Sequence, residues 1–198
     1  MSPVTHFFAG WVLSAVTTRT RRERALITAA GIIPDLDGLG YLPEVLTRNS
    51  AHPLLWFSQY HHALHNLAFA LTVAAAAFLI SGRRWKIALL AFLSFHLHLF
   101  CDLIGARGPD GYQWPIPYLL PFSKSAALVW QGQWALNAWP NIVITVALLL
   151  ATLALARKQG VSPLEFLSEN ANRALVAALR ARLPIKEKQK HLATNEHE

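Results

Sequence analysis

The sequence predicts an all-α protein, a polytopic membrane helical bundle of about five helices with an amphipathic helix near its C-terminus. Of its 198 residues, 54% are hydrophobic and only 15% are charged, whereas about a quarter of the residues in soluble domains are charged. The hydrophobic residues are gathered in blocks, which is typical of membrane-spanning segments. The basic residues lie between these blocks in an asymmetric pattern, which indicates a defined membrane topology.

Three of the blocks are predicted to span the membrane, because each approaches the roughly 20 residues that a helix needs to cross about 30 Å of hydrocarbon. They are Leu64–Ile80, Trp85–Ile104 and Ala135–Ala156. Two shorter blocks, Phe7–Val16 and Ala25–Ile33, predict two further helices that tilt or end inside the bilayer. The connections 38–60 and 105–134 are rich in Pro, Gly and aromatic residues, and long loops of this kind often carry function.

The C-terminal part of the chain has a different pattern. Ser162, Pro163 and Glu165 have the spacing of an N-cap, a first-turn proline and a capping-box partner. They predict a single interfacial amphipathic helix that ends at Pro184. The sequence therefore predicts a membrane-embedded domain at 1–157, an amphipathic helix at 158–185 and a disordered tail at 186–198.

The basic residues predict the orientation of the bundle. If the turn at 19–24 is cytoplasmic, 15 of the 18 Lys and Arg residues lie on the cytoplasmic side, and so does the C-terminus. This distribution is the usual one, because Lys and Arg are enriched in cytoplasmic loops. The three exceptions are Arg48, Arg107 and Lys124. This topology accounts for the formal charge of +7, so we expect membrane lipids and no nucleic acid as partners.

The same topology brings eight ionisable side chains to the outer half of the bilayer. Such groups are costly inside a membrane and usually face a protein interior or a water-filled cavity, where they function. His61 and His65 are four residues apart, as are His98 and Asp102, so each pair shares one helical face and can bind one cation. The full set is His6, Asp35, Asp37, His61, His62, His65, His98 and Asp102.

The composition of this set predicts a divalent metal. Imidazoles and carboxylates together suit zinc, manganese or iron, and eight candidate ligands suffice for one or two ions. Cys101 is the single cysteine, which argues against a structural thiolate zinc site. His62 with His65 is an alternative pair, whereas His96 points away from His98 and is interpreted as a packed or supporting imidazole.

Hydrolysis is the leading functional prediction, because a two-metal centre activates water and binds the oxygens of a phosphoester during displacement. A hydrogen-bonded polar core or a proton path is the alternative to metal binding.

A metal or ion transporter would use the same residues as a transit site, although no ionisable residues continue toward the inner face. A regulatory scaffold would present the basic C-terminal helix to a cytoplasmic protein, but its arginines also suit anionic lipid headgroups. They are Arg173, Arg180 and Arg182.

Five motifs resemble those of the bacterial inner-membrane metal-dependent hydrolase family, whose members are also described as LexA-binding hydrolases. The resemblance covers roughly residues 1–157. The motifs are Thr5-His6, Pro34-Asp35-Leu36-Asp37, the run from Tyr60 to Asn66, the run from His96 to Asp102, and the run from Gly108 to Pro115. The family is distantly similar to zinc phospholipase C and nuclease P1. The resemblance implies cleavage of a phospholipid or lipid-linked phosphoester at the outer face of the bacterial inner membrane, and it suggests LexA as a cytoplasmic partner.

The resemblance also implies roles for single residues. Metal ligation falls to Asp35 and Asp37, to His65 with either His61 or His62, and to His98 with Asp102, while His6 matches an early histidine. The choice between His61 and His62 stays open, because many members have Arg at the position of His62. Asp35, Asp37 and Asp110 are the predicted catalytic carboxylates, with Asp110 as a ligand, a general base or a turn residue. Gln113 and Trp114 are predicted to shape the mouth of the pocket.

Overall fold

A computed structural model describes residues 1–60, 62–108, 111–123, 125 and 127–183. Within these residues the chain is helical, with two isolated β-bridges and no strand, which confirms the predicted all-α bundle. The predicted site residues His61 and Asp110, and the predicted tail at 186–198, lie outside the described residues. The α-helices are α1 Pro3–Thr17, α2 Arg21–Ala30, α3 Tyr41–Thr47, α4 Trp56–Tyr60, α5 Leu67–Ile80, α6 Trp85–Gly105, α7 Trp139–Gln159 and α8 Glu169–Arg182, and the 3₁₀ helices are Ile33–Gly40 and Pro163–Phe166.

Two helices, α6 and α7, have 21 residues each and are long and apolar enough to cross a membrane, since 21 residues extend about 32 Å. Helix α7 begins four residues later than the predicted span, with Pro140 in its first turn. The prediction that Leu64–Ile80 forms a complete span is wrong in the structure. The side chain of Asn66 accepts a hydrogen bond from the Phe69 N–H and caps α5, so the helix has 14 residues and extends only about 21 Å.

The segment after α2 also departs from a simple span. Helix α2 and the continuous helical segment Ile33–Thr47 are together apolar and long enough to cross, but they meet at an angle of 50°. Pro34 has no N–H group to bond to the Ala30 carbonyl and so cannot continue α2, which accounts for the break. Among the described residues, two helices are therefore long and apolar enough to span a membrane, or three segments are if this bent pair forms one broken span.

The bundle is closely packed where α1, α2 and α6 meet. Trp11, Ile27 and Phe95 are fully buried there. Gly31 makes the close approach of the helices possible, because a Cβ atom at this position would lie 2.8 Å from the Ser94 hydroxyl oxygen. The outer faces of the bundle instead expose large apolar side chains, among them Leu93 and Leu150, as expected for helices that face lipid.

The predicted single C-terminal helix is divided in two in the structure. Ser162 precedes a short 3₁₀ helix, and α8 begins at Glu169 after the N-cap residue Ser168. Glu165 is not a capping partner, because its carboxylate accepts two hydrogen bonds of 2.7 Å from the buried guanidinium of Arg24. The Ser162 hydroxyl donates to Asn172 Oδ1. These contacts hold the C-terminal helices against the bundle. The predicted domain boundary at residue 157 stays a prediction.

Candidate metal centre

Four of the predicted ligands meet in the interior of the bundle. His6 comes from α1, Asp35 from the 3₁₀ helix after α2, and His98 and Asp102 from successive turns of α6. Each offers one donor atom, and these four atoms all lie within 4.8 Å of one another. Both imidazoles are 1% exposed, and their rings stack at a centroid distance of 3.8 Å.

Asp102 is at the centre of this group. Its Oδ1 lies 3.1 Å from His6 Nε2, and its Oδ2 lies 3.0 Å from His98 Nε2. Asp35 Oδ1 lies 3.8 Å from the same His98 nitrogen. Two ligands that are each about 2.1 Å from a tetrahedral ion are about 3.4 Å apart, so these spacings suit ligands of one small divalent cation. The amino group of Met1 also contacts Asp102 Oδ1.

His65 adjoins this group from the turn before α5. Its Nε2 lies 3.2 Å from His98 Nε2 and 3.6 Å from Asp102 Oδ2. Its Nδ1 lies 3.1 Å from Asp37 Oδ2, to which it donates a hydrogen bond. The histidine is 3% exposed. A carboxylate on the far nitrogen fixes the ring and the tautomer of a metal-binding histidine, and Asp37 is placed to do this for His65.

Asp37 itself is held by the backbone around it. Its Oδ2 accepts hydrogen bonds from the N–H groups of His62 at 2.9 Å and Leu64 at 3.2 Å. The loop therefore wraps around this carboxylate, and His62 takes a left-handed backbone conformation with a φ of 107°. The predicted ligand Asp37 is thus placed beside His65 rather than in the four-residue group.

The remaining predicted histidines lie elsewhere. The half-buried His62 has its ring edge against Trp114, at a centroid distance of 4.7 Å, and lines the adjoining cavity rather than joining the four-residue group. His96 donates from Nδ1 to the Phe92 carbonyl and lies 2.9 Å from the Tyr118 hydroxyl through Nε2. This confirms the interpretation of His96 as a packed imidazole.

A cavity of about 400 Å³ opens beside the cluster. Asp35, His65 and Asp102 form part of its polar wall. Most of the remaining wall is apolar, and it includes Leu39, Phe57, Trp114, Ile116 and Leu136. Trp114 therefore shapes the cavity as predicted, whereas the half-buried Gln113 donates to the Gln131 carbonyl and is not part of the wall.

Sequence reasoning missed Gln133, which joins the cavity to α6. Its side chain is 1% exposed. Its Nε2 donates to the Asp102 carbonyl at 2.9 Å, and its Oε1 accepts from the Trp114 N–H at 2.9 Å. A single glutamine in a long loop is part of no recognisable motif, so the sequence does not indicate that Gln133 lies between the cavity and α6.

The residues present fit a divalent metal ion. His98 Nδ1 donates to the Gly31 carbonyl, so the lone pair of a neutral His98 is on Nε2, which faces Asp102 and His65. Asp35 Oδ2 and His6 Nδ1 are buried and have no hydrogen-bond partner within the described parts of the chain. Buried polar atoms are normally satisfied, and a cation bound by this group would satisfy the unpartnered carboxylate oxygen of Asp35.

These observations define the class of protein: a helical membrane protein with a buried His and Asp cluster near one end of its bundle. The family model described as YdjM inner membrane protein matches residues 1–182. The chain therefore belongs to the YdjM inner membrane protein family, and it is a bacterial inner-membrane protein. No curated protein and no solved structure matches the chain. The matched range includes every residue of the cluster and all eight α-helices.

Proposed function

We propose that this protein is a metal-dependent hydrolase that cleaves a phosphoester of a phospholipid or of a lipid-linked substrate. The observation that carries the proposal is the convergence of His6, Asp35, His98 and Asp102 on one point inside the bundle. Buried ionisable groups are costly in a membrane protein and usually serve a function. Asp35 and Asp102 lie on the wall of a cavity, which gives a substrate access to the group.

The proposed cofactor is zinc, with manganese or iron as alternatives, as one or two ions. The four converging residues would hold it, and His65 adjoins them through its contacts with His98 and Asp102. When bound, a metal ion of this kind supplies Lewis acidity that makes water nucleophilic at neutral pH and stabilises negative charge on the phosphate oxygens.

The protein's own residues account for proton transfer and for substrate binding. Asp35 lines the cavity and has a buried oxygen without a partner among the described residues, so it is placed to accept a proton from water. His65 is oriented by Asp37 and turns its Nε2 toward His98 and the proposed metal position, so the proton that Asp35 takes up from water is the one available to the leaving oxygen. The apolar wall excludes water and accommodates the hydrocarbon part of a lipid.

The orientation in the membrane belongs to the same proposal. The basic residues at the start of α2, at the start of α6 and in the last turn of α7 support a cytoplasmic location for the C-terminus, and the cluster then faces the outer leaflet. Fusing alkaline phosphatase, which is active only outside the cytoplasm, to the loop at 111–123 and to residue 183 tests this. We expect activity from the loop fusion alone, and the opposite pattern would reject the orientation.

The function is tested by measuring metal content and hydrolysis on the same preparations. We expect one or two equivalents of metal in the wild-type protein, and loss of both metal and hydrolysis in His98→Ala and Asp102→Asn. The control is His52→Ala, because His52 is exposed and lies outside the cluster. Unchanged metal in the cluster variants would reject the metal site. A metal-loaded protein that cleaves no phosphoester but carries metal into proteoliposomes would reject the hydrolase in favour of a transporter.

A further inference from the structure

A second cavity lies at the other end of the bundle. It has a volume of about 510 Å³ and forms where the end of α1, the start of α6 and the end of α7 meet. Lys86 in its wall is 12 positions before His98 on α6, which corresponds to about 18 Å along the helix. The cavity is therefore separate from the candidate metal centre. Its wall consists of Ala15, Val16, Thr17, Thr18, Arg19, Arg24, Lys86, Gln159 and Val161.

The charges in this wall are unbalanced. Three cationic side chains line the cavity, and no carboxylate does among the residues that the structure describes. Arg24 is neutralised by Glu165, which lies behind it at 2.7 Å. Arg19 makes no side-chain hydrogen bond or ion pair within the described segments, and Lys86 contacts only the Thr17 carbonyl there, at 3.3 Å. Two positive charges consequently face the cavity without a counterion from the described protein.

The surroundings of the cavity indicate which anion it takes. Val16, in its wall, is 58% exposed and continues into the apolar outer face of the bundle. A ligand here meets cations on one side and a lipid-facing surface on the other. Anionic phospholipids have both features, and basic residues near a membrane surface attract their headgroups.

We propose that this cavity is a binding site for a phosphate group, carried by the headgroup of an anionic phospholipid, with Arg19 and Lys86 as its binding residues. Arginine binds phosphate oxygens through paired donors and lysine binds them as a point charge. The Arg24–Glu165 pair forms the back of the site and positions the C-terminal helices beside it. A bound lipid therefore contacts α1 and α6 and the segment that leads to α8.

The test measures lipid binding to the purified full-length protein in neutral detergent by native mass spectrometry and by the shift in Tm. The probes are dioctanoyl phosphatidylglycerol, dioctanoyl phosphatidylcholine and inorganic phosphate. We expect Arg19→Ala/Lys86→Ala to lower the affinity for phosphatidylglycerol about 30-fold, since each basic residue near an anionic headgroup contributes roughly fivefold. The charge-preserving variant Arg19→Lys/Lys86→Arg should stay within about threefold of the wild type on the same grounds.

The matched control is Arg22→Ala/Lys158→Ala, which removes two exposed charges at the same end of the bundle but outside the cavity wall. It should bind phosphatidylglycerol like the wild type. Equal loss in both double variants, no loss in Arg19→Ala/Lys86→Ala, or equal binding of phosphatidylcholine would overturn the site. A Tm shift with inorganic phosphate that depends on Arg19 and Lys86 supports the site and identifies a free anion as a second source of the phosphate. Retained binding in His98→Ala separates this site from the metal centre.

Discussion

The Nε2 atoms of His65 and His98 lie 3.2 Å apart, although the Nδ1 atom of each ring is already engaged by a hydrogen-bond acceptor. His98 donates to the Gly31 carbonyl and His65 donates to Asp37. In two neutral rings these bonds leave the lone pairs facing each other, which is repulsive. A cation beside the two nitrogens would turn this repulsion into attraction, so the outer hydrogen bonds of the rings favour the metal site proposed above.

Replacing Asp37 tests this preparation. Asp37→Asn removes the charged acceptor that orients His65, and we expect metal affinity to fall by about 10- to 100-fold, the usual effect of losing such a partner. Competition with a chelator of known affinity measures it. Glu44→Gln is the control, because Glu44 accepts hydrogen bonds from Ser58 at an exposed position. Wild-type affinity in Asp37→Asn would show that His65 needs no orienting carboxylate.

The buried pair of Arg24 and Glu165 predicts a large loss of stability when one partner is removed. Both residues are at most 5% exposed, and Glu165→Gln leaves the guanidinium without its counterion. We expect about 3–5 kcal/mol of destabilisation, measured by denaturant unfolding in detergent. The pair of the exposed Arg84 and the half-buried Glu23 provides the comparison, and Arg84→Ala should cost less than about 1 kcal/mol. Similar losses for both variants would contradict this assignment.

The close approach of Gly31 to Ser94 predicts that a substitution at Gly31 destabilises the protein and that a second substitution, at Ser94, reverses the loss. Gly31→Ala places a methyl group 2.8 Å from the Ser94 hydroxyl oxygen, and overpacking of this kind costs about 1–3 kcal/mol. Ser94→Ala removes that oxygen, so the double variant should recover most of the loss. Unfolding curves of the two single variants and the double variant measure this coupling. Additive effects would show that another contact limits the space at Gly31.

Trp114 predicts a defect in substrate binding that leaves the metal in place. Trp114→Ala opens the cavity wall without removing any residue of the four-residue group. If the hydrolase proposal holds, KM for a lipid phosphoester should rise about tenfold or more, as expected when a large aromatic contact is lost, while metal content is unchanged. Trp139→Ala is the control, because Trp139 is 73% exposed. Loss of metal in Trp114→Ala would instead assign the side chain to the stability of the cluster.

The fold class and most of the cluster could be predicted from the sequence because two strong constraints act on it. Apolar blocks must become helices where no water satisfies the backbone, and α6 matches its predicted block to within one residue. His98 and Asp102 share a helical face at a spacing that helix geometry fixes. The convergence of His6 and Asp35 with them followed from membrane topology alone, and the structure confirms it.

Other features depend on contacts between distant segments, which local patterns do not encode. Helix α5 begins at Leu67, three residues later than the predicted span Leu64–Ile80, because residues 62–65 turn around Asp37 instead of forming helix. Glu165 has the spacing of a capping residue, yet a partner 141 residues earlier engages it instead. Likewise, the position of Gln133 depends on how the loop before α7 folds back over the end of α6.

The separation of contacting residues along the chain has a consequence for biogenesis. His6 is synthesised 96 residues before Asp102, and Arg24 leaves the ribosome 141 residues before Glu165. A nascent chain that ends before α6 contains His6 and Asp35 but lacks His98 and Asp102. The four-residue group can therefore assemble only after α6 has been inserted, and the attachment of the C-terminal helices to the bundle comes after that.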